Sequence, residues 1–316
     1  MTDLSFLARL PVAADTAWLF PGQGAQAVGM GRDLAEQVPA ARAIFDAADA
    51  ALGISLSSIC FDGPEVDLTQ TVNTQPALVV HAIAALVAAV ESGAITHRPA
   101  FVAGHSLGEY AALIAANAVP FEDGVRLVRE RGRLMQAACD AERGTMAAVL
   151  GMEPDAVRAI CAEHGTAICN INAPGNMTIG GTVAAVEAAS AAAVAGGGKV
   201  IALTVSGAFH TPLMQSAADG MRAVLAEAAF AAPSVPVISN VTSRPLTDAS
   251  AFAGELVDQI TSPVLWVDSV RAMHAAGVTQ VIEFGPGRVL TALVKRIERA
   301  LDTRNIGTVA DLEVTA

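Results

Sequence analysis

The residues Gly104-His105-Ser106-Leu107-Gly108 hold a serine between two glycines in a G-x-S-x-G pattern. The apolar stretch "AFVAGH" before Ser106 reads as a strand, and a helix is expected from about Leu107. Strand, sharp turn and helix are the context of a nucleophile elbow, whose chemistry is acyl transfer or hydrolysis. The turn forces strained backbone angles on the serine, and side chains on the flanking residues would clash. It also exposes the hydroxyl, and the start of the next helix offers N–H groups to a developing oxyanion.

A serine hydroxyl needs a base. His81 lies inside an apolar helix, and His97, His164 and His274 read as surface residues. His105 ends a strand and its side chain is expected to point away from the serine. His210, in "VSGAFHTPLM", follows a strand end through Ser206-Gly207, a loop of the kind that delivers side chains to a site. Its local context alone leaves a structural histidine equally open. A triad would add a carboxylate between serine and histidine. Asp123, Asp140, Glu142, Asp155 and Glu163 lie in that interval, but on helices or in a small subdomain, and none stands out. A neutral carbonyl partner would orient the imidazole while stabilising its protonated form less. Such a site would slow attack by stray water, as a transferase requires.

"VRLVRERGRLMQ" (125–136) carries four arginines on one expected helix. At roughly 100° per residue, Arg126, Arg129 and Arg133 share a face, whereas Arg131 points among Leu127, Val128, Leu134 and Met135. A cation on an apolar face is costly unless it is paired. The residues leave two readings: an ion pair with a carboxylate of the chain, or a waiting site for an anionic ligand.

The chain has 316 residues, 53% of them apolar, and a net charge of −12. Its mean hydropathy of +0.48 could suggest a membrane protein. Much of the apolar count is alanine, which suits packed helices. The longest apolar run, 76–90, is too short to span a bilayer and contains His81. "MTDLSFLARL" lacks a basic start, so a signal peptide is not expected and a cytoplasmic location is. The negative charge argues against nucleic-acid binding. Arg126, Arg129 and Arg133, or Arg288, Lys295, Arg296 and Arg299, could form local basic patches or simply solvated faces. Four cysteines without a CxxC pair, and histidines without an HxxxH pair, read as buried thiols rather than a metal site.

Strand–helix alternation gives the expected fold class, α/β with a mostly parallel sheet. Strands are expected at 16–20, 100–105, 235–240 and 280–285, with helices near 33–52, 75–90 and 288–301. Between them, "MAAVLG", "PDAVRAICAEH", "AICNIN", "MTIGG", an Ala-rich helix and "KVIALTV" run in βαββαβ order, the ferredoxin-like split unit. The expected domains are a core of 1–139 and 206–316 and an inserted subdomain of 140–205. The tail after Asp302 gives no structural signal.

In order and spacing, "FPGQGAQAVGMG", "TQPAL", "GHSLGEYAAL", "RGRLMQ", "FHTPLM" and "FGPGRVLT" resemble the malonyl-CoA:acyl-carrier-protein transacylases of fatty acid synthesis. The resemblance covers nearly the whole chain after its first fifteen residues. It implies a hydrolase-like core with a ferredoxin-like insertion, Ser106 as the acylated nucleophile and His210 as general base and acid. It implies an oxyanion hole of the Gln23 and Leu107 backbone N–H groups. It further implies a main-chain carbonyl of Gln259, in "QITSPVLW", on the histidine, and Arg131 as the clamp for the malonyl carboxylate. Phe209 matches family members that use malonyl rather than methylmalonyl units, and Asn172 is a candidate for positioning the pantetheine arm. The partners implied are malonyl-CoA and acyl carrier protein, with no metal or redox cofactor. Two alternatives share the motifs: an acyltransferase partner of a polyketide synthase, or of a malonate decarboxylase. A serine hydrolase would share the elbow but need an acid partner and no buried arginine. A catalytically silent scaffold is disfavoured by the intact Ser106, His210 and Arg131.

Overall fold

The computed structural model describes residues 2–313. Its strands are β1 (Val12–Phe20), β2 (Arg98–Gly104), β3 (Gly144–Leu150), β4 (Ala167–Ala173), β5 (Asn176–Thr182) and β6 (Lys199–Ala202), followed by β7 (Val237–Ile238), β8 (Pro245–Leu246), β9 (Gln280–Phe284) and β10 (Asp302–Ile306). They form a six-stranded sheet ordered β10-β9-β1-β2-β7-β8 and a four-stranded sheet ordered β4-β5-β3-β6.

The larger sheet is parallel except for β8. Parallel strands need crossovers that cover both faces, so their sequences are apolar on both sides. β1 shows this with the period of two. Trp18 and Phe20 enter one core with the helices Thr71–Glu91 and Phe121–Ala141, whereas Ala17 and Leu19 enter the other with Trp266 and Val270. Thr71–Glu91 is long and apolar enough to cross a membrane, longer than the run its sequence suggested, but 94% of its most apolar window is buried inside the protein. It is a core helix.

The expected helix at 33–52 is two, Arg32–Gln37 and Pro39–Leu52. Pro39 disfavours helical angles at the residue before it, and Val38 is extended at φ −122°. The strand expected at 235–240 is reduced to Val237–Ile238, and the segment after Asp302, silent in sequence, is the edge strand β10.

The smaller sheet is antiparallel throughout. Its helices Pro154–His164 and Val183–Ala195 cover one face, burying Val157, Cys161, Val186 and Ala189 against Val149, Met177 and Ile179. Thr182 starts the second helix by accepting the Ala185 N–H. β4 is joined to the larger body by two backbone bonds, Ile171 N–H to the Val264 carbonyl at 2.9 Å and Val264 N–H to the Cys169 carbonyl at 2.9 Å.

Candidate active site

Ser106 stands between the end of β2 and the helix Gly108–Ala115, at φ 53°. Only close packing sustains so strained a backbone. A Cβ on Gly104 would lie 1.9 Å from the Gly108 carbonyl carbon, and one on Gly108 would lie 2.2 Å from the Phe20 carbonyl oxygen. The turn is locked by Asn240, just beyond β7: its Oδ1 accepts the Ser106 N–H at 2.7 Å and its Nδ2 donates to the Gly104 carbonyl at 2.6 Å.

His210 Nε2 lies 2.7 Å from Ser106 Oγ, and His210 Nδ1 lies 2.8 Å from the Gln259 carbonyl oxygen. The carbonyl can only accept, so Nδ1 carries the proton and Nε2 turns its lone pair to the serine. His210 is buried, and its φ of 60° is a second strained backbone at the reacting pair. Burial first, then the Arg131 charge, depress its pKa to about 3. The ring is therefore neutral at ordinary pH.

Arg131 is 1% exposed. One amino group of its guanidinium donates to Gln75 Oε1 at 2.7 Å; the other donates to Gln259 Oε1 at 2.8 Å and reaches Ser106 Oγ at 3.2 Å. Its Nε has no partner among the described residues. The Tyr110 ring lies 6.0 Å away, within cation–π range. Among the described residues no carboxylate pairs with it, which removes the ion-pair reading of its apolar position. Of its helix companions, Arg126 pairs with Asp123 and Arg133 with Glu130.

The site does contain an acid. Glu109, 1% exposed, accepts from the Asn240 N–H at 3.3 Å and from the Gln259 Nε2. Gln259 Nε2 also donates to the Ser106 carbonyl at 3.0 Å. Burial and then the Glu255 charge push the Glu109 carboxyl well above the usual range, while Gln259, Asn240 and Arg131 pull it down. The two groups facing it are both donors, so the carboxylate is the form the contacts fit.

Ser106, Arg131, His210, Phe209, Gln23, Leu107 and Gln75 line one cavity of about 280 Å³. Among the described residues the N–H groups of Gln23 and Leu107 have no acceptor, and both residues line the cavity. His105, expected to point away, is a wall of this cavity: the chain turns at it, and its Nε2 bonds Asn172 Oδ1 at 3.0 Å. Asn172 thus stands behind His105, and Asn170 is the asparagine on the wall. His81 bonds the Gly307 carbonyl elsewhere, and His164 and His274 close helices. The four cysteines are free and buried. Among the described residues no three His, Cys, Asp or Glu side chains could share a metal.

Gln75, Glu109 and Asn240 had no role expected from the sequence. Gln75 and Glu109 lie inside motifs already singled out, "TQPAL" and "GHSLGEY", and Asn240 ends the expected strand "VPVISN". Their common signal is a polar residue in an otherwise buried run.

The acyl transferase domain family matches residues 17–312. The chain is 47% identical over 293 residues to a malonyl CoA-acyl carrier protein transacylase of Bacillus subtilis, covering 91% of this chain and 92% of that one. Among solved structures it resembles an acyl carrier protein S-malonyltransferase from Vibrio cholerae, with TM-score 0.91 and 42% identity over 94% of this chain and 98% of that one. It also resembles a malonyl-transacylase in complex with a type II polyketide synthase acyl-carrier protein, with TM-score 0.90 and 38% identity over 94% and 97%.

Proposed function

The chain belongs to the acyl transferase domain family, and from that premise we propose that it moves the malonyl group of malonyl-CoA to the phosphopantetheine thiol of an acyl carrier protein. In the first half-reaction Ser106 Oγ attacks the thioester carbonyl while His210 Nε2 takes its proton. The oxyanion rests on the Gln23 and Leu107 N–H groups. Collapse expels coenzyme A, protonated by His210, and leaves a malonyl ester on Ser106. In the second, His210 deprotonates the incoming pantetheine thiol, which attacks that ester; Ser106 leaves and regains its proton from His210. The Gln259 carbonyl holds the ring throughout, and Phe209 limits the room beside the malonyl methylene. Asn172 acts on the pantetheine arm through His105. These steps call on no metal or redox cofactor.

The observation that carries the proposal is Arg131: a buried guanidinium bonded to two neutral amides, with no carboxylate in contact among the described residues and within 3.2 Å of the nucleophile. A carboxylate arriving with the acyl group supplies a charge in direct contact and a bidentate partner. An acetyl group supplies neither, and discrimination of roughly 10⁴-fold is attainable when a site is built for a polar group.

The division into a core (1–139 and 206–316) and a small subdomain (140–205) belongs to the same proposal and draws support from the two separate sheets. A cytoplasmic location belongs to the same proposal; the burial of Thr71–Glu91 supports only that this helix packs inside the protein. The test is intact-mass spectrometry after incubation with malonyl-, methylmalonyl- or acetyl-CoA. A malonyl adduct on the wild type, absent from Ser106→Ala, is expected. No adduct, or equal adducts from all three donors, would overturn the assignment.

A further inference from the structure

We infer that Glu109 is a specificity-positioning residue: its carboxylate fixes which way the Gln259 amide faces, and so sets Arg131 to receive the substrate carboxylate. The inference rests on the role proposed above for Arg131.

The argument is one of donors and acceptors. Gln259 is fully buried, and its side chain meets three partners. Its Oε1 accepts from Arg131 at 2.8 Å, and its Nε2 donates to the Ser106 carbonyl at 3.0 Å and to Glu109. Flipping the amide would set Nε2 against the guanidinium, donor against donor, and Oε1 against two acceptors. Glu109 holds the amide in the productive sense because both of its oxygens accept: Oε2 from Gln259 Nε2, Oε1 from the Asn240 N–H at 3.3 Å. No neutral side chain of that shape offers two acceptors. A glutamine at 109 has one acceptor and one donor. The Asn240 backbone N–H, which lies between this side chain and the Glu255 carboxylate, cannot turn round, and facing it the glutamine places its acceptor there. The donor then faces Gln259, whose amide must flip and present its own N–H groups to Arg131. The error is carried one residue further, into the carboxylate site. The base is spared, because His210 bonds the backbone carbonyl of Gln259 and not its side chain.

This gives Glu109 a signature that general support of the fold lacks. In Glu109→Gln, the preference for malonyl-CoA over acetyl-CoA, read as the ratio of kcat/KM values, should fall by roughly tenfold to a hundredfold, the effect of one mismatched buried donor. The acetyl value should fall less than the malonyl value, because the Ser106–His210 bond is kept while only the Ser106 carbonyl loses its donor from Gln259. Glu109→Asp retains both acceptors on a shorter stem and should lose only part of the preference; it serves as well if the glutamine variant does not fold. An unchanged ratio, or malonyl and acetyl values that fall in parallel with thermal stability, would overturn the inference. Arg131→Ala, assayed beside them, separates the two claims. If it lowers malonyl and acetyl transfer equally, the carboxylate role of Arg131 fails; if it is selective and Glu109→Gln is not, only the role of Glu109 fails.

Discussion

At the scale of single residues, His210, the proposed base, lies beside a permanent cation. Burial and Arg131 both disfavour the imidazolium, which is why the His210 pKa falls to about 3. The acid limb for acylation of Ser106 in the free enzyme should therefore lie well below 6.5, the ordinary histidine value. Arg131→Ala removes the larger of the two charge effects, the other being that of His105, and should raise that limb by roughly one unit, measurable as the pH dependence of single-turnover acylation with acetyl-CoA. A limb that stays in place would show that the cation does not reach the imidazole. The same shift bears on stability. Below about 6.5 the unfolded chain takes up this proton while the folded one refuses it until about 3, so His210 contributes stability that is lost as pH falls through that window.

At the scale of elements, the carboxylate site depends on two helices meeting closely. Gly132 follows Arg131, and a Cβ there would lie 2.7 Å from the Thr71 carbonyl oxygen and 3.0 Å from Val72 Cα. These are backbone atoms at the start of the helix that carries Gln75, and they cannot rotate aside. Gly132→Ala should force the helices apart, cost about 1–3 kcal/mol in denaturant unfolding and weaken the Arg131–Gln75 bond. Malonyl kcat/KM should then drop more than acetyl kcat/KM. The helices themselves were legible in the sequence, as was the elbow, because hydrophobic period and glycine spacing are local properties. The Arg131 anomaly was legible for the same reason: one residue broke its own helix pattern. The amide and carboxylate scaffold was not. Glu109 meets Gln259 across 150 residues and Arg131 meets Gln75 across 56, and no period links such positions. β10 escaped notice because "DTRNI" is mostly polar, as suits an edge strand, and the break at Val38 was lost inside an alanine-rich run that reads as helix throughout.

At the scale of the molecule, the cavity is built between two bodies. The core supplies Ser106, Arg131 and Gln23; the small sheet supplies Met146 and Asn170; the returning segment supplies Leu203, Val205 and Phe209. The join through Val264 and the His105–Asn172 bond keep the two in register across the nucleophile. A transferase must hold its acyl-serine away from water until the thiol arrives, and two features could do so. One is chemical: the imidazole has a carbonyl partner, and Glu109 is spent on Gln259 and Asn240 rather than on His210. The other is architectural, the half-buried apolar wall of Leu203 and Val205. Leu203→Ser with Val205→Ser tells them apart. Coenzyme A release from malonyl-CoA without carrier should, in the wild type, end after about one equivalent per active site. In the double variant the first equivalent should be unchanged and the following steady release should rise severalfold if the wall excludes water. If that release stays at the wild-type level while the variant folds, the weak base, and not the wall, protects the ester.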